Sequence, residues 1–301
     1  MENTTGLSVL TAADLLAADL PPRTDILAPL LASDTAALVY GPSGIGKSFF
    51  ALGVAWAVAA GGSFLGWRAP RPRRVLYVDG ELGAVSLRER LSLFGPPPQR
   101  LMISAHDLGT GPLLDLSEDA GIVRLMAAWN RPELVVLDAL STLAGLGSGD
   151  PERWDRLQRF LLHQRKHHRA VLMVHHVNKE GELRGTSRRE NALDLMLALR
   201  WPDYGLASGN ARFEVHFEKT RYHRGAPLVP LLAELETDEG GRARWRWGPA
   251  AGSRIERLAA LLNRGLTTHE AAQALGISRA WLFKLKAEAR ARGLLNPGRE
   301  P

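Results

Sequence analysis

AALVYGPSGIGKSFFALGVAWAVAAG, residues 36–61, is the stretch on which the fold turns. It opens on a short apolar run and closes on a longer one rich in small residues. Between them stand Gly41, Pro42, Ser43, Gly44, Ile45, Gly46, Lys47 and Ser48, a complete match to G-x-x-x-x-G-K-S in a strand-turn-helix setting. The three glycines let the backbone bend until successive N–H groups face phosphate oxygens, and the helix that follows adds its positive end. In that geometry Lys47 reaches the β- and γ-phosphates of a nucleotide, Ser48 ligates Mg²⁺, and Phe49 completes the binding stretch. No base-specifying motif accompanies the loop, so ATP is the default nucleotide.

Outward from this loop the chain alternates apolar strands with helical stretches: RVLYVDG, LMISA, LVVLDAL and AVLMVHH follow in turn. Such alternation implies a mostly parallel sheet covered by helices, and the nearly continuous apolar runs imply strands buried on both faces. ARFEVHFEKTR and PLVPLLAELE read as edge or hairpin strands. A phosphate loop needs an acidic partner on the metal side, and LVVLDAL supplies Asp138 at a strand end, where it joins the magnesium shell. Ala139 follows it, so the adjacent Asp-Glu pair that often positions the attacking water is missing. RVLYVDGEL offers Asp79 and Glu81 at another strand end. Glu81 is the candidate catalytic base, the alternative being a glutamate favoured by a helix dipole.

A phosphate loop, a strand ending in D-G-E, a strand ending in an unpaired Asp and a strand ending in H-H-x-x-K (His175, His176, Lys179) together resemble the RecA-like ATPases. The resemblance is nearest to the RepA-type hexameric plasmid helicases and spans residues 24–236. It implies that His176 senses the γ-phosphate, the alternative being an ordinary structural histidine. Chelation by the pair is disfavoured, since adjacent strand residues point to opposite faces. It also implies that the loop KEGELRGTSRREN faces the central channel of a ring, where Arg184, Arg188 and Arg189 contact single-stranded DNA. In FEVHFEKTR the K-x-R spacing puts Lys219 and Arg221 on one face. The resemblance makes them cations that enter a neighbouring subunit's site, with Arg224 as a substitute; a basic strand end is the plain alternative.

The remaining stretch, IERLAALLNRGLTTHEAAQALGISRAWLFKLKAEARARGLL, reads as three amphipathic helices with breaks at Gly265 and Gly276. Thr268 starts the second and Ser278 caps the third. A-A-x-x-L-G-I-S is a helix-turn-helix pattern, with Ala271 and Ala272 small enough for close packing. The third helix would enter the major groove of duplex DNA with Arg279, Ala280, Trp281 and Lys284, while Leu282 and Leu285 pack inward. A core Trp281 or a protein-docking module is the alternative. Residues 253–301 hold nine Lys or Arg against four Glu, so most of the chain's net charge of +6 sits here and favours a polyanion.

The 301 residues, 45% hydrophobic, can bury one large core and one small one. We therefore expect residues 1–247 to form a RecA-like α/β ATPase domain with a mostly parallel central sheet, residues 1–33 being a lead segment. Residues 248–252, within GPAAGS, are the expected linker, and residues 253–301 a small all-α helix-turn-helix domain, with or without a wing. The absence of cysteine excludes disulfides and thiolate metal sites, and no apolar run is long enough for a membrane helix; the expectation is a cytoplasmic protein with no membrane partner. The function implied is an ATP-driven DNA helicase of plasmid or phage replication, a homo-oligomer and by resemblance a hexamer. Its rivals are an ATP-switched DNA-binding regulator or loader, and a recombinase-like filament.

Overall fold

The computed structural model describes residues 9–128, 130–145, 151–177, 191–202, 211–223, 228–250, 254–275 and 277–295. In chain order these form α1 (Ala12–Ala17), β1 (Asp25–Leu27), β2 (Leu31–Ala32), β3 (Ala36–Gly41), α2 (Lys47–Ala60), β4 (Ser63–Phe64), β5 (Trp67–Arg68), β6 (Val75–Asp79) and α3 (Ala84–Ser92). There follow β7 (Leu101–Ala105), α4 (Asp119–Ala127), β8 (Leu134–Asp138), α5 (Leu140–Leu143), α6 (Pro151–Lys166), β9 (Ala170–His176) and β10 (Leu195–Arg200). The chain ends with β11 (Ala211–Thr220), β12 (Leu231–Thr237), β13 (Ala243–Pro249), α7 (Arg254–Asn263), α8 (Thr268–Leu275) and α9 (Arg279–Ala291).

One sheet carries the molecule, in the order β13-β12-β11-β10-β3-β9-β8-β6-β7. From β10 to β7 every pairing is parallel, whereas β11, β12 and β13 add antiparallel strands at one side. The phosphate-loop strand β3 lies at the centre. Successive residues along each central strand serve different cores, because side chains alternate between faces. Ala37, Val39, Leu134 and Val136 join the cluster that holds α2, while Ala36, Leu38, Val135 and Leu137 join the one that holds Leu157 and Phe160 of α6. Continuous apolar runs in β6 and β8 are thus explained: both faces are covered. LMISA departs from that expectation. As β7 it ends the sheet, and its first four residues keep partial exposure since only β6 lies beside it.

Helix α2 is buried on most of its circumference, between the sheet and the segments β1–β2 and β4–β5. Gly53 admits Phe64 so closely that a Cβ there would lie 2.3 Å from the ring. Phe50, fully buried, meets Phe64, Trp67 and Phe213 edge-on at centroid distances of 5.3–6.0 Å. Truncating such a residue to alanine costs about 3–5 kcal/mol, so this cluster is a substantial part of what holds α2 against the sheet.

Two boundaries differ from the sequence reading. Residues 25–32 lie in the stretch taken as a lead segment, yet Ile26, Leu27 and Leu31 are buried in the main core. Short strands of three and two residues give too little periodicity to be seen in sequence. At the other end RARWRW is strand, and β13 runs on through Gly248 and Pro249 into the expected linker. Its alternation now has a cause: Ala243 and Trp245 pack on the core, while Arg246 bonds Glu234 and Glu236 on the other face. Among the described residues no helix is long and apolar enough to cross a membrane.

Candidate nucleotide site

β3 ends at Gly41 and α2 begins at Lys47, so residues 42–46 form a loop over the helix N-terminus. Gly44 and Gly46 have φ of +78° and +108°, which L side chains rarely adopt. Gly46 has a second reason to be glycine, since a Cβ would stand 2.5 Å from that of Ala211. Lys47 is buried, and its Nζ donates to the carbonyl oxygens of Gly41 (2.9 Å) and Pro42 (2.7 Å). Burial lowers its pKa to about 8, opposed by the nearby negative charges of Asp138 and Glu81.

Those carboxylates arrive from two neighbouring strands. Asp79 and Asp138 end β6 and β8 at matched positions of the pairing. Asp138 is buried at the sheet's C-terminal edge. Burial raises its pKa, while hydrogen bonds from the hydroxyls of Tyr77 and Ser48 act the other way. Asp79 builds the turn instead: it accepts from the N–H of Leu82 (3.0 Å) and Gly83 (2.8 Å) and faces His106 at 3.4 Å. Asp107 then accepts from Ala84 N–H at 2.8 Å and starts α3. Glu81 sits on the turn so fixed.

His176 ends β9 directly beside Gly41 in the parallel ladder, and its Nε2 lies 3.0 Å from Oε2 of Glu81. His175 points to the other face and is buried. One pocket therefore gathers Ser43, Gly44, Gly46, Lys47, Ser48, Phe49, Glu81, Asp138 and His176. It also contains Arg90 of α3, whose guanidinium lies 4.7 Å from the centre of the Phe49 ring. Sequence reasoning missed Arg90 and Tyr77. Nothing in LRERL separates Arg90 from Arg88, but a tyrosine inside the apolar strand RVLYVDG was a signal, since a buried hydroxyl needs a partner.

A family model described as AAA domain matches residues 3–182, more than half of the chain. The chain belongs to that family. Its solved structural neighbours include a KaiC-like protein from the hyperthermophilic archaeon Pyrococcus horikoshii OT3, at 17% identity and a TM-score of 0.51, covering 73% of this chain and 93% of that one. The flagellar accessory protein FlaH from Methanocaldococcus jannaschii aligns at 11% identity with a TM-score of 0.50, covering 70% of this chain and 90% of that one. No curated protein matches the chain. With the phosphate loop, these likenesses make the fold of this AAA domain protein RecA-like, as the sequence implied.

Lys219 and Arg221 of the AAA domain protein do not join the pocket. Because β11 is antiparallel to β10, Lys219 pairs with Met196 and Thr220 with Leu195, opposite Leu38 and Ala37 at the start of β3. They occupy the edge of the sheet remote from the phosphate loop. Arg221 follows the strand's end, where Nη1 lies 3.2 Å from Oδ1 of Asp194 and Nη2 donates to the carbonyl of Asn191 at 3.0 Å. Asp194, buried, also holds Arg165 at 2.7 Å. Lys179, Arg184, Arg188, Arg189 and Arg224 lie outside the described residues.

The last three helices close a separate apolar cluster around Leu258, Ala271, Leu282 and Leu285. Ser278 caps α9 by accepting from Trp281 N–H at 3.3 Å. For α8 the cap is Thr267, one residue before the expected Thr268: its hydroxyl accepts from Glu270 N–H (3.2 Å), and Glu270 answers Thr267 N–H (2.8 Å). That reciprocal pair needs a Glu three residues on, which only Thr267 has. Trp281 is half exposed rather than core, and Lys284 Nζ lies 6.0 Å from its ring, while Arg279 lies over Phe283.

Proposed function

We propose that this protein is an ATP-hydrolysing, ring-forming DNA motor, a helicase of plasmid or phage replication type, that binds duplex DNA through a C-terminal helix-turn-helix. The observation that carries the proposal is the convergence of Lys47, Ser48, Glu81, Asp138 and His176 on one pocket at the sheet's C-terminal edge. Lys47 already bridges two loop carbonyls, as an ammonium does where phosphate oxygens are to replace them. Mg²⁺ fits the donor set: a buried carboxylate, Asp138, faces the hydroxyl of Ser48, and the two would hold it. When bound, the metal neutralises charge on the β- and γ-phosphates.

The chain's own groups supply the rest. Loop amides and the N-terminus of α2 orient the phosphates. Glu81 accepts a proton from the attacking water, and His176 holds that carboxylate in place until a γ-phosphate competes for its Nε2–H. Arg221 of one subunit reaches the next subunit's phosphates; its place at the far sheet edge supports action in trans, because it is too remote to serve its own loop. Arg279, Trp281 and Lys284 present a basic, aromatic face suited to DNA, and the half exposure of Trp281 supports this over a core role. Arg184, Arg188 and Arg189 contact single-stranded DNA in the ring.

The test is ATP turnover with and without single-stranded DNA, run beside unwinding of a forked duplex, with assembly measured in the same buffer. Stimulated turnover coupled to strand separation by a ring, six-membered in the helicase reading, supports the proposal. A protein that binds one duplex sequence and hydrolyses ATP equally without DNA is a regulator or loader instead.

A further inference from the structure

The edge of the sheet remote from the phosphate loop is strongly basic. Residues 71–74, 97–100, 131–133 and 166–169 lead into β6, β7, β8 and β9, and together they hold seven Lys or Arg against one carboxylate, Glu133. Residues 1–252 as a whole are close to neutral, so this is a local concentration of charge and not a share of an overall excess. The strand register lines the charges up. Leu134 pairs with Val75 and with Ala170, and Val75 pairs with Leu101. The residues just before these, Arg169, Glu133, Arg74 and Arg100, therefore stand side by side in that order. Three strand spacings, about 14 Å, separate the ends of the row.

Pairing removes little of this charge. Glu133 accepts from Arg73 at 2.8 Å and from Arg71 at 3.0 Å, one carboxylate for two guanidinium groups. Arg71, Arg74, Arg100, Arg131 and Lys166 are all exposed. Among the described residues no carboxylate pairs with Arg100, Arg131 or Lys166. Arg169 feels the crowding, its pKa lowered by burial and then by the positive charge of Arg131. Towards β3 the pattern changes: Asp34 faces His168 at 3.0 Å, and Asp194 holds Arg165 at 2.7 Å. The backbone adds a second sign. Arg131 has a φ of +44°, in the left-handed region that suits glycine. Its carbonyl accepts from Arg74 Nε at 3.0 Å, which fixes the turn through the main chain. An exposed arginine at such a position presents a charge that the turn itself does not need.

We propose that this row is a docking surface for the phosphate backbone of duplex DNA, separate from both the phosphate loop and the C-terminal helices. Recognition of phosphate alone fits the composition, because the four segments contain no Phe, Tyr or Trp on which an unpaired base could stack. The row is comparable in length with the width of a major groove, about 12 Å, so cations at its two ends meet both backbones and none reads a base. Binding here has no sequence preference. The inference does not depend on whether the protein unwinds DNA.

Arg131→Gly and Arg100→Gln test it in the full chain, with a short duplex of arbitrary sequence as the probe. Glycine suits the backbone at position 131, so Arg131→Gly should melt close to the native protein; Arg100→Gln, at an exposed position, keeps the test open if it does not. Each substitution should reduce the slope of log K against log salt by about 0.9. The two together should shrink the affinity lost between about 50 and 200 mM salt by about tenfold, with ATP binding unchanged. Arg246→Gln controls for net charge. It removes an exposed arginine of β13 that is already paired with Glu234 and Glu236, and should leave the slope alone. An unchanged slope in the double variant, or an equal fall in Arg246→Gln, would overturn the proposal. So would loss of binding to phosphatidylserine vesicles with duplex binding intact, which would assign the row to an acidic membrane surface.

Discussion

Nε2 of His176 and Oε2 of Glu81 stand 3.0 Å apart, joining the end of β9 to the turn after β6 above the phosphate loop. In the proposed reaction Glu81 is the base, and because its neighbour His176 can itself donate to phosphate, the chemistry would be coupled to the presence of the γ-phosphate. Glu81→Gln keeps the shape and loses the basicity. We expect kcat to fall by about 10²–10⁴-fold, with ATP still bound. His176→Ala should lower kcat less and leave ATP affinity nearly unchanged. Nucleotide titration and single-turnover phosphate release separate the two effects; weaker binding with normal chemistry in Glu81→Gln would place the base elsewhere.

Lys47 gives a pH signature. Burial has pulled its pKa down to about 8, so raising the pH through that value neutralises the amine in the free protein. Bound phosphates favour the charged form, and ATP binding must therefore take up a proton where the amine was neutral. At pH 8.5 roughly three quarters of free molecules are neutral there, against about a quarter at pH 7.5. Calorimetry in two buffers of different ionisation enthalpy should show uptake rising between these pH values. Lys47→Ala should lose turnover, and Lys47→Arg, always charged, should show no uptake at pH 8.5. Equal uptake at both pH values in the native protein would remove Lys47 from the phosphates.

The sheet and the phosphate loop were legible because their signals are local: GPSGIGKS needs only eight consecutive residues, and buried strands such as LVVLD declare themselves by composition. Glu81, Asp138 and His176 were legible as strand ends, since a parallel sheet delivers such residues to one edge. Contacts between distant segments were not. Arg90 is in the pocket because α3 carries its guanidinium over the Phe49 ring of α2, and Arg221 meets Asp194 because antiparallel pairing sets the end of β11 opposite the start of β10. No spacing within one segment encodes either. The strands at residues 25–32 were hidden for a similar reason, being held by tertiary contacts with α2 and the isolated Ala28–Arg68 bridge.

Tyr77 is expected to set the acid limit of the proposed ATP hydrolysis. Its hydroxyl donates to Asp138, whose pKa burial has raised, and this bond restrains the rise. A group with a raised pKa loses its charge at a higher pH than usual as the solution is acidified. Tyr77→Phe removes the restraint, so the acid limb of kcat/KM should move upward in pH. The magnesium concentration for half-maximal activity should grow more at pH 6.5 than at pH 8. Loss of one hydrogen bond costs about 1–1.5 kcal/mol of stability, visible in denaturant titration. An unmoved acid limb would show that Asp138 is not the titrating group.

Arg221 tests action between subunits. In the proposed ring, an assembly made only of Lys47→Ala would have no working phosphate site, and one made only of Arg221→Ala would have no finger at any site. Mixed rings of this kind would contain interfaces where an intact site of Arg221→Ala faces an intact Arg221 from Lys47→Ala. Turnover should therefore recover partly on mixing and peak at intermediate ratios. Absence of recovery at every ratio would leave Arg221 with only its contacts to Asp194 and the Asn191 carbonyl.

The C-terminal helices should be separable. Their apolar cluster holds only residues from Ile255 onward, so removing residues 253–301 uncovers neither of the two cores that enclose the sheet. ATP hydrolysis should survive the deletion, and duplex binding should fall because most of the net positive charge leaves with the segment. A single phosphate contact is visible as salt dependence: Lys284→Ala should weaken binding to any duplex and reduce the slope of log K against log salt by about one. Trp281→Ala, by contrast, should leave that slope unchanged, since an uncharged ring releases no counterion. A deletion that keeps full duplex affinity would move DNA binding to the ATPase body, and the basic excess of the tail would then be only a solvated surface.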